Sequence, residues 1–193
     1  QEVSEGLILL SGAHSGPVGL ALLAGDEARA TELAQQLAAA FPQRFYLELQ
    51  RAGRPDDERQ VVGAVQIAAR LQLPVVATHP VQFQGRDDYE AHEARVCISE
   101  GEILGNQRRV RKFTREQYFK SSAEMAALFA DLPSALANSV EIARRCAFMV
   151  QTHAPILPRF DTGEGRSEPD ELAHQAREPR PQGRRRQQHR GLS

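Results

Sequence analysis

Three short apolar runs separated by helical stretches constrain this chain more than anything else in it. They are Gly6-Leu-Ile-Leu-Leu10, Phe45-Tyr-Leu-Glu-Leu49 and Pro74-Val-Val-Ala-Thr78. Each is too short for a buried helix and is bounded by turn formers, so each reads as a buried strand. Between the first two, Gly16-Pro17 opens a short helix through Ala24 that Gly25 ends. Asp26 is a good N-cap for a second helix, Glu27 to Ala40, with an apolar stripe of Ala28, Leu33, Leu37 and Ala40. Pro42 stops it. The loop Ala52-Gly-Arg-Pro-Asp-Asp57 leads into a third helix from about Glu58 to Leu71, whose apolar side is Val62, Val65, Ile67 and Ala69. The order β, α, α, β, α, β with apolar strands predicts an α/β fold, a parallel sheet covered on both faces or a barrel.

After His79 the texture becomes helical. Asp87-Asp88 can cap a helix reaching about Glu100, and Asn106 to Lys112 is a polar basic loop. Ser122 caps a helix to Ala130, and Asp131 with Pro133 starts another to about Cys146. The one further strand signal is Phe148 to Val150. Pro155, Pro158 and Asp161-Thr-Gly163 make an extended linker, Asp170 to Glu178 reads as helix, and Pro179 breaks it. The tail Pro179 to Ser193 has one apolar residue, so it cannot join a core and is expected to be disordered.

At 193 residues, 41% of them hydrophobic, the chain has room for one domain, or most of one and a piece of a second. No apolar run approaches the ~20 residues that cross a bilayer, so a helical membrane span is excluded. Gly6 to Leu10 is too short, and lacks the basic flank, for a signal peptide. Cys97 and Cys146 suit a reducing compartment rather than a disulfide framework, which implies the cytoplasm. The first residue is Gln1 rather than Met, and upstream sequence is expected. The net charge of −1 hides an asymmetry: the last fifteen residues hold five of the 24 basic residues and none of the 25 acids, so residues 1–178 carry −6. A body that acidic is not built for extensive phosphate contact.

Several phrases resemble the alpha subunit of bacterial DNA polymerase III, the replicative C-family enzyme. They are Gly6-Leu-Ile-Leu-Leu-Ser-Gly12, Arg44-Phe-Tyr-Leu-Glu-Leu-Gln50 with Gly53-Arg-Pro-Asp56, and Leu73-Pro-Val-Val-Ala-Thr78. Ala91-His-Glu-Ala-Arg-Val-Cys-Ile98, Gln117-Tyr-Phe-Lys-Ser121, Leu128-Phe-Ala-Asp-Leu-Pro133 and Asn138-Ser-Val-Glu-Ile-Ala-Arg-Arg-Cys146 follow in order. The similarity spans roughly Glu5 to Glu178. It implies that residues 1–84 are later β/α units of the PHP domain, an irregular β/α barrel. Residues 85–160 would then be its helical end, and residues 161–178 the start of a helix leading to the polymerase palm. From Pro179 the likeness fails, and residues 179–193 are expected to follow a reading-frame change or gene-model artefact.

Members of that family that keep metal hold it with His, Asp, Glu and Cys at the carboxyl ends of the barrel strands, where zinc or manganese can activate water. The matching positions in this chain are Ala13, Pro80 and Gln82, none a good ligand. The resemblance therefore implies a dead metal site, no cofactor in this segment, and no catalytic residue. His14 and His79 both follow strand ends and could share a residual rim. The loop Ser11-Gly-Ala-His-Ser-Gly-Pro17 reads as tight backbone packing rather than a phosphate loop, since it lacks the Lys-Ser/Thr ending. Glu90, His92 and Glu93 share a helix, but no second histidine stands at metalloprotease spacing. Cys97 and Cys146 are expected on apolar helix faces. Arg108, Arg109, Arg111, Lys112 and Arg115, with Phe113 and Tyr118 nearby, form a dense basic patch that would suit a nucleic-acid backbone or an acidic partner. Tyr118-Phe-Lys120 reads as a packing segment.

The expectation is a non-catalytic PHP scaffold segment. In the intact subunit, palm aspartates beyond this chain would hold Mg2+ for DNA synthesis. Its partners would be the rest of the alpha subunit, the proofreading exonuclease subunit and DNA, with no membrane. The alternatives are a metal-dependent PHP phosphoesterase or exonuclease, and an unrelated α/β binding module. A barrel short of strands exposes edges, so the isolated chain is expected to aggregate or be partly molten.

Overall fold

The computed structural model describes residues 4–106, 108–156, 165 and 167–177. The chain divides into two compact units, Gln1–Ala147 and Phe148–Ser193.

The first unit is built on a three-stranded parallel sheet, β1 (Leu9–Leu10), β2 (Phe45–Gln50) and β3 (Val75–Thr78), with β2 in the centre. Leu9 pairs with Phe45 and Leu47 with Val75, so all three strands point their carboxyl ends the same way. Parallel neighbours need crossovers. These are α1 (Pro17–Ala24) with α2 (Glu27–Ala40), and α3 (Asp57–Leu71). Every residue from Phe45 to Leu49 is buried, as a central strand covered on both faces requires.

Beyond the sheet come α4 (Tyr89–Glu100), α5 (Ser122–Leu128) and α6 (Pro133–Arg145). α6 lies against β3: Asn138 Nδ2 donates to Val75 O at 2.8 Å, and Arg145 Nη1 donates to the Tyr46 hydroxyl at 2.7 Å. Phe129 and Ala135 from this region share one core with Val18, Leu22, Leu47, Leu49 and Ile67. At the start of α1 and within its first turn the backbone packs so closely that only glycine fits. A Cβ on Gly16 would stand 1.7 Å from Ser11 O, and one on Gly19 would stand 1.8 Å from Ala13 O.

Local capping follows the sequence in part. Gly25 ends α1 at φ 82°, and Asp26 accepts from the Arg29 N–H at 2.9 Å. The cap of α5 is Ser121 rather than Ser122, in a reciprocal box with Glu124. Asp88 does not cap α4. It closes the 3-10 turn Arg86–Asp88 by accepting from the Gly85 N–H at 2.8 Å.

Other expectations need correction. The buried face of α2 is Ala30 and Ala34, with Leu33, Leu37 and Ala38 beside it, while Ala28 is exposed. In α3 the buried set is Val61, Ala64, Ile67 and Ala68, and Val62 and Ala69 face solvent. Both errors come from choosing apolar residues by type where α3 and α2 offer alanines and valines on every side. Phe148 to Val150 form no strand and are exposed.

In the second unit α7 (Glu168–Arg177) is a short amphipathic helix, beginning two residues before the expected Asp170. Most of the linker around Pro158 to Gly163, and the tail from Glu178, lie outside the described residues.

Candidate functional site at the carboxyl ends of the strands

Parallel strands bring Ser11, Gln50 and Thr78 to one edge of the sheet, followed by Ala13, His14, His79 and Pro80. The centre of that edge is Glu48, a carboxylate within an apolar strand. Its burial requires donors, and the three strands supply them. The Gly12 N–H donates to Oε2 at 3.0 Å, Gln50 Nε2 donates to Oε1 at 3.2 Å, and the Thr78 hydroxyl donates to Oε1. The Glu48 N–H in turn donates to Ser11 Oγ at 2.9 Å. Asp57 is likewise taken up, Oδ2 accepting from the Ala52 N–H at 2.6 Å and the Arg54 N–H at 3.0 Å. These two carboxylates act as hydrogen-bond hubs that tie strand ends and loops together.

Ala13 is fully buried with φ 44°, in the short turn Ala13–Ser15. Pro80 and Gln82 are engaged through the backbone by Gln117, which is itself buried: Gln117 Nε2 donates to Pro80 O at 3.2 Å, and the Gln82 N–H donates to Gln117 O at 2.8 Å. The His79 Nε2–H donates to Glu116 O at 2.8 Å, and the Thr114 hydroxyl donates to Ala52 O. Residues 114–117 thus form a strap across the strand ends. Lys120, almost wholly buried, and Arg86 both pair with Glu116 and stack on Tyr118.

His14 and His79 share this edge but face different neighbours. His14 lies in the field of Arg54, Asp57 and Glu48, and His79 in that of Lys120 and Glu116. Burial pushes both imidazoles below their ordinary pKa, and the neighbouring cation adds to it in each case. Among the described residues no group of three or more His, Cys, Asp or Glu side chains is arranged to hold a metal ion. The donor chemistry agrees. Ala13 and Pro80 bring no ligand atom, Gln82 brings only a neutral amide, and the oxygens of Glu48 are already engaged.

The basic segment is largely neutralised by α4. Arg109 is only 4% exposed and pairs with Glu93, which is fully buried, so Arg109 is withdrawn from any partner surface. Lys112 Nζ lies 2.6 Å from Glu100 Oε1, Arg115 pairs with Glu90 and stacks 4.5 Å over the Tyr89 ring, and Arg111 lies 3.9 Å from Glu93. Arg108 makes no ion pair among the described residues. A charge count along the sequence sees five cations; the fold pairs four of them with glutamates of one helix. Phe119 is exposed while Tyr118 and Lys120 pack, so the Tyr118-Phe-Lys120 segment packs only in part. Cys97 is buried as expected, but Cys146 is exposed.

A family model for the PHP domain matches residues 1–52, the stretch that carries β1, the Gly12–Ala13 turn and Glu48. The chain is 49% identical over 174 residues to the DNA polymerase III subunit alpha of Pseudomonas aeruginosa, covering 90% of this chain and 15% of that one. The Neisseria meningitidis subunit is 52% identical over 170 residues, 88% of this chain and 15% of that one. The Escherichia coli subunit is 46% identical over 177 residues, 92% of this chain and 15% of that one. The resemblance to DNA polymerase III alpha holds. This chain spans about 15% of the length of the alpha subunits it matches.

Sequence reasoning names Ala13, Pro80 and Gln82 through the alpha-subunit likeness but misses Glu48, Thr78, Glu116 and Gln117. Glu48 carried a readable signal: an acid in the middle of Phe45-Tyr-Leu-Glu-Leu49 has to find donors when the strand is buried. Glu116 and Gln117 carried none, because they act on strand ends more than thirty residues away.

Proposed function

We propose that this chain is a non-catalytic segment of the PHP domain of a DNA polymerase III alpha subunit, acting as a scaffold for the polymerase. The observation that supports this best is the closed sheet edge. Where a phosphoesterase of this family would present open metal ligands, this chain has Ala13, Pro80 and Gln82, a saturated Glu48, and the 114–117 strap laid across. Water activation needs a deprotonated ligand set and an open coordination position, and this edge has its oxygens committed to backbone and hydroxyl donors. Such a network is suited to rigidity instead, since it locks all three strand ends together.

In this proposal the sheet is part of an irregular β/α barrel completed by sequence outside the chain, and the protein works in the cytoplasm. Templated DNA synthesis belongs to the intact subunit, through palm aspartates that bind magnesium and lie outside this segment. Its partners are then the rest of the alpha subunit, the proofreading exonuclease subunit and, in the assembled enzyme, DNA.

The test is to purify the chain, offer it primed template, deoxynucleotides and Mg2+, and separately measure bound zinc and manganese. No primer extension and metal well below one ion per chain are expected. Stoichiometric zinc or manganese that is lost in His14→Ala or His79→Ala, accompanied by phosphoester hydrolysis, would overturn the scaffold reading in favour of the phosphoesterase.

A further inference from the structure

On the far side of α4 from its glutamates lies a cleft of about 310 Å3, lined by Gln82, Phe83, Asp88, Ala91, His92 and Arg95. Arg95 stands apart from the cations around it. Arg86, Arg109, Lys112, Arg115 and Lys120 each pair with a carboxylate, whereas Arg95 makes no ion pair among the described residues. Its one bond is from Nη2 to His92 Nδ1 at 3.3 Å. A guanidinium has only donors, so Nδ1 must accept, and the imidazole proton sits on Nε2. Burial, and then the Arg95 charge, hold His92 below its ordinary pKa, in keeping with a neutral ring. His92 is 6% exposed, between Phe83 at 5.4 Å and Phe113 at 4.8 Å, and its Nε2 is buried with no hydrogen-bond partner among the described residues. The Gln82 carboxamide makes no hydrogen bond among the described residues either. An unpaired guanidinium, an amide and an aromatic wall around one concave space are the usual parts of a small-ligand site.

We propose that this cleft binds a carboxylate carried on an apolar or aromatic stem, with Arg95 as the charge partner, Gln82 as a second polar contact and Phe83 as the wall against the stem. The charge selects the class. One free cation faces Asp88, whose carboxylate is fixed on the Gly85 N–H across the cleft. A singly charged group suits that field, and a phosphate dianion would meet Asp88 with no second cation to offset it. The His92 to Arg95 bond holds the guanidinium over the cleft, so His92 is a positioning residue. The site lies on the surface of α4 and is independent of the scaffold reading of the sheet edge.

The test is a titration of the full 193-residue chain followed by NMR of the His92 ring and the Arg95 guanidinium. The probes are benzoate, its neutral isostere benzamide, inorganic phosphate, and acetyl-Gly-Phe with either a free or an amidated terminus. Saturable shifts are expected with benzoate and the free peptide acid, and none with benzamide or the amidated peptide. Arg95→Met should weaken benzoate about tenfold or more, and Arg95→Lys by less, since it keeps the charge and loses the fork. Arg108→Met, which removes another unpaired cation, should leave binding unchanged. Tighter binding of the peptide acid than of benzoate would point to a chain terminus as the natural ligand, and the reverse to a free small acid; either supports the carboxylate site. Equal response to benzamide, tighter binding of phosphate, or an unaltered titration in Arg95→Met would overturn it. The wild-type titration decides the first two of these whether or not the variants fold.

Discussion

Replacing Glu48 by Gln keeps the size of the side chain and removes only its charge and one acceptor. The structure dictates which way the amide must sit. With its oxygen at the Oε1 position it keeps the Thr78 hydroxyl and the Gln50 amide, and its NH2 then faces the Gly12 N–H, donor against donor. Turned over, it would set its NH2 against the Gln50 donor and lose two bonds, so the first arrangement wins. The loss is one charge-assisted bond to a backbone donor and a Gly12 N–H left without its partner, about 2 kcal/mol at this burial. For a unit of this size that corresponds to a fall in Tm of roughly 4–8 °C. Urea and thermal unfolding of the two proteins measure it, each with and without added zinc. The zinc arm matters because a structural carboxylate and a metal ligand predict different things. If Glu48 is a hydrogen-bond hub, zinc shifts neither protein. A change below about 0.5 kcal/mol would refute the network as a stabilising unit. Zinc stabilisation of the parent that disappears in Glu48→Gln would make the carboxylate a ligand.

Further consequences can be measured in the same chain. Gly19→Ala, which in an open helix would gain up to about 1 kcal/mol, should instead lose about 3 kcal/mol, because its Cβ would stand 1.8 Å from Ala13 O; an unchanged urea midpoint would show that α1 does not press on the turn. Arg51→Ala removes a guanidinium that is 14% exposed, bonds Glu58, Asp131 and Leu128 O, and stacks 5.1 Å over Phe129. It should cost about 2 kcal/mol, kept modest by partners that regain solvent, and a loss confined to salt-free buffer would mean the ion pairs alone matter. The Tyr118 hydroxyl, then the Ser121 donors, hold Glu124 down at about 2 from an ordinary 4.5. A depressed carboxylate stabilises the fold above its unfolded pKa, and that support is lost as pH falls from 4.5 through about 2; a carboxyl NMR midpoint near 4.5 would contradict it. In the native chain a disulfide reagent should label Cys146 at once and reach buried Cys97 only in denaturant.

The elements were legible because they are local. Strands came from short apolar runs, and helix ends from Asp26, Gly25, Pro17 and Pro133, residues that act on their own turn. Helix faces were less so. In α2 and α3 alanines and valines surround the axis, and which of them turn inward is decided by the sheet and by α1, not by the helix itself. Thus Ala30 and Ala34 are buried where Ala28 is not. The cysteines divide for the same reason: Cys97 lies within α4 and is buried, and Cys146 sits just past the end of α6 and is exposed.

The sheet edge shows where reading by position stops. At the positions where the resemblance places ligands, Ala13, Pro80 and Gln82 say what the edge lacks, but a buried strand end cannot simply lack something. Its backbone groups and any acid beside them still need partners. Glu48 stands in the middle of β2, and it is stable there only because Gly12, Gln50 and Thr78 all offer donors at once. The same requirement accounts for the strap. His79 and Pro80 end β3 with a ring N–H and a carbonyl to satisfy, and Glu116 and Gln117 meet both. Ala13, with only a methyl to place, follows Gly12 into a tightly wound turn in which the Gly12 N–H meets Glu48. Ala13, Pro80 and Gln82, a saturated acid and a covering strap are therefore one arrangement, and a metal ligand introduced at any of these positions would have to displace bonds that hold the strand ends together.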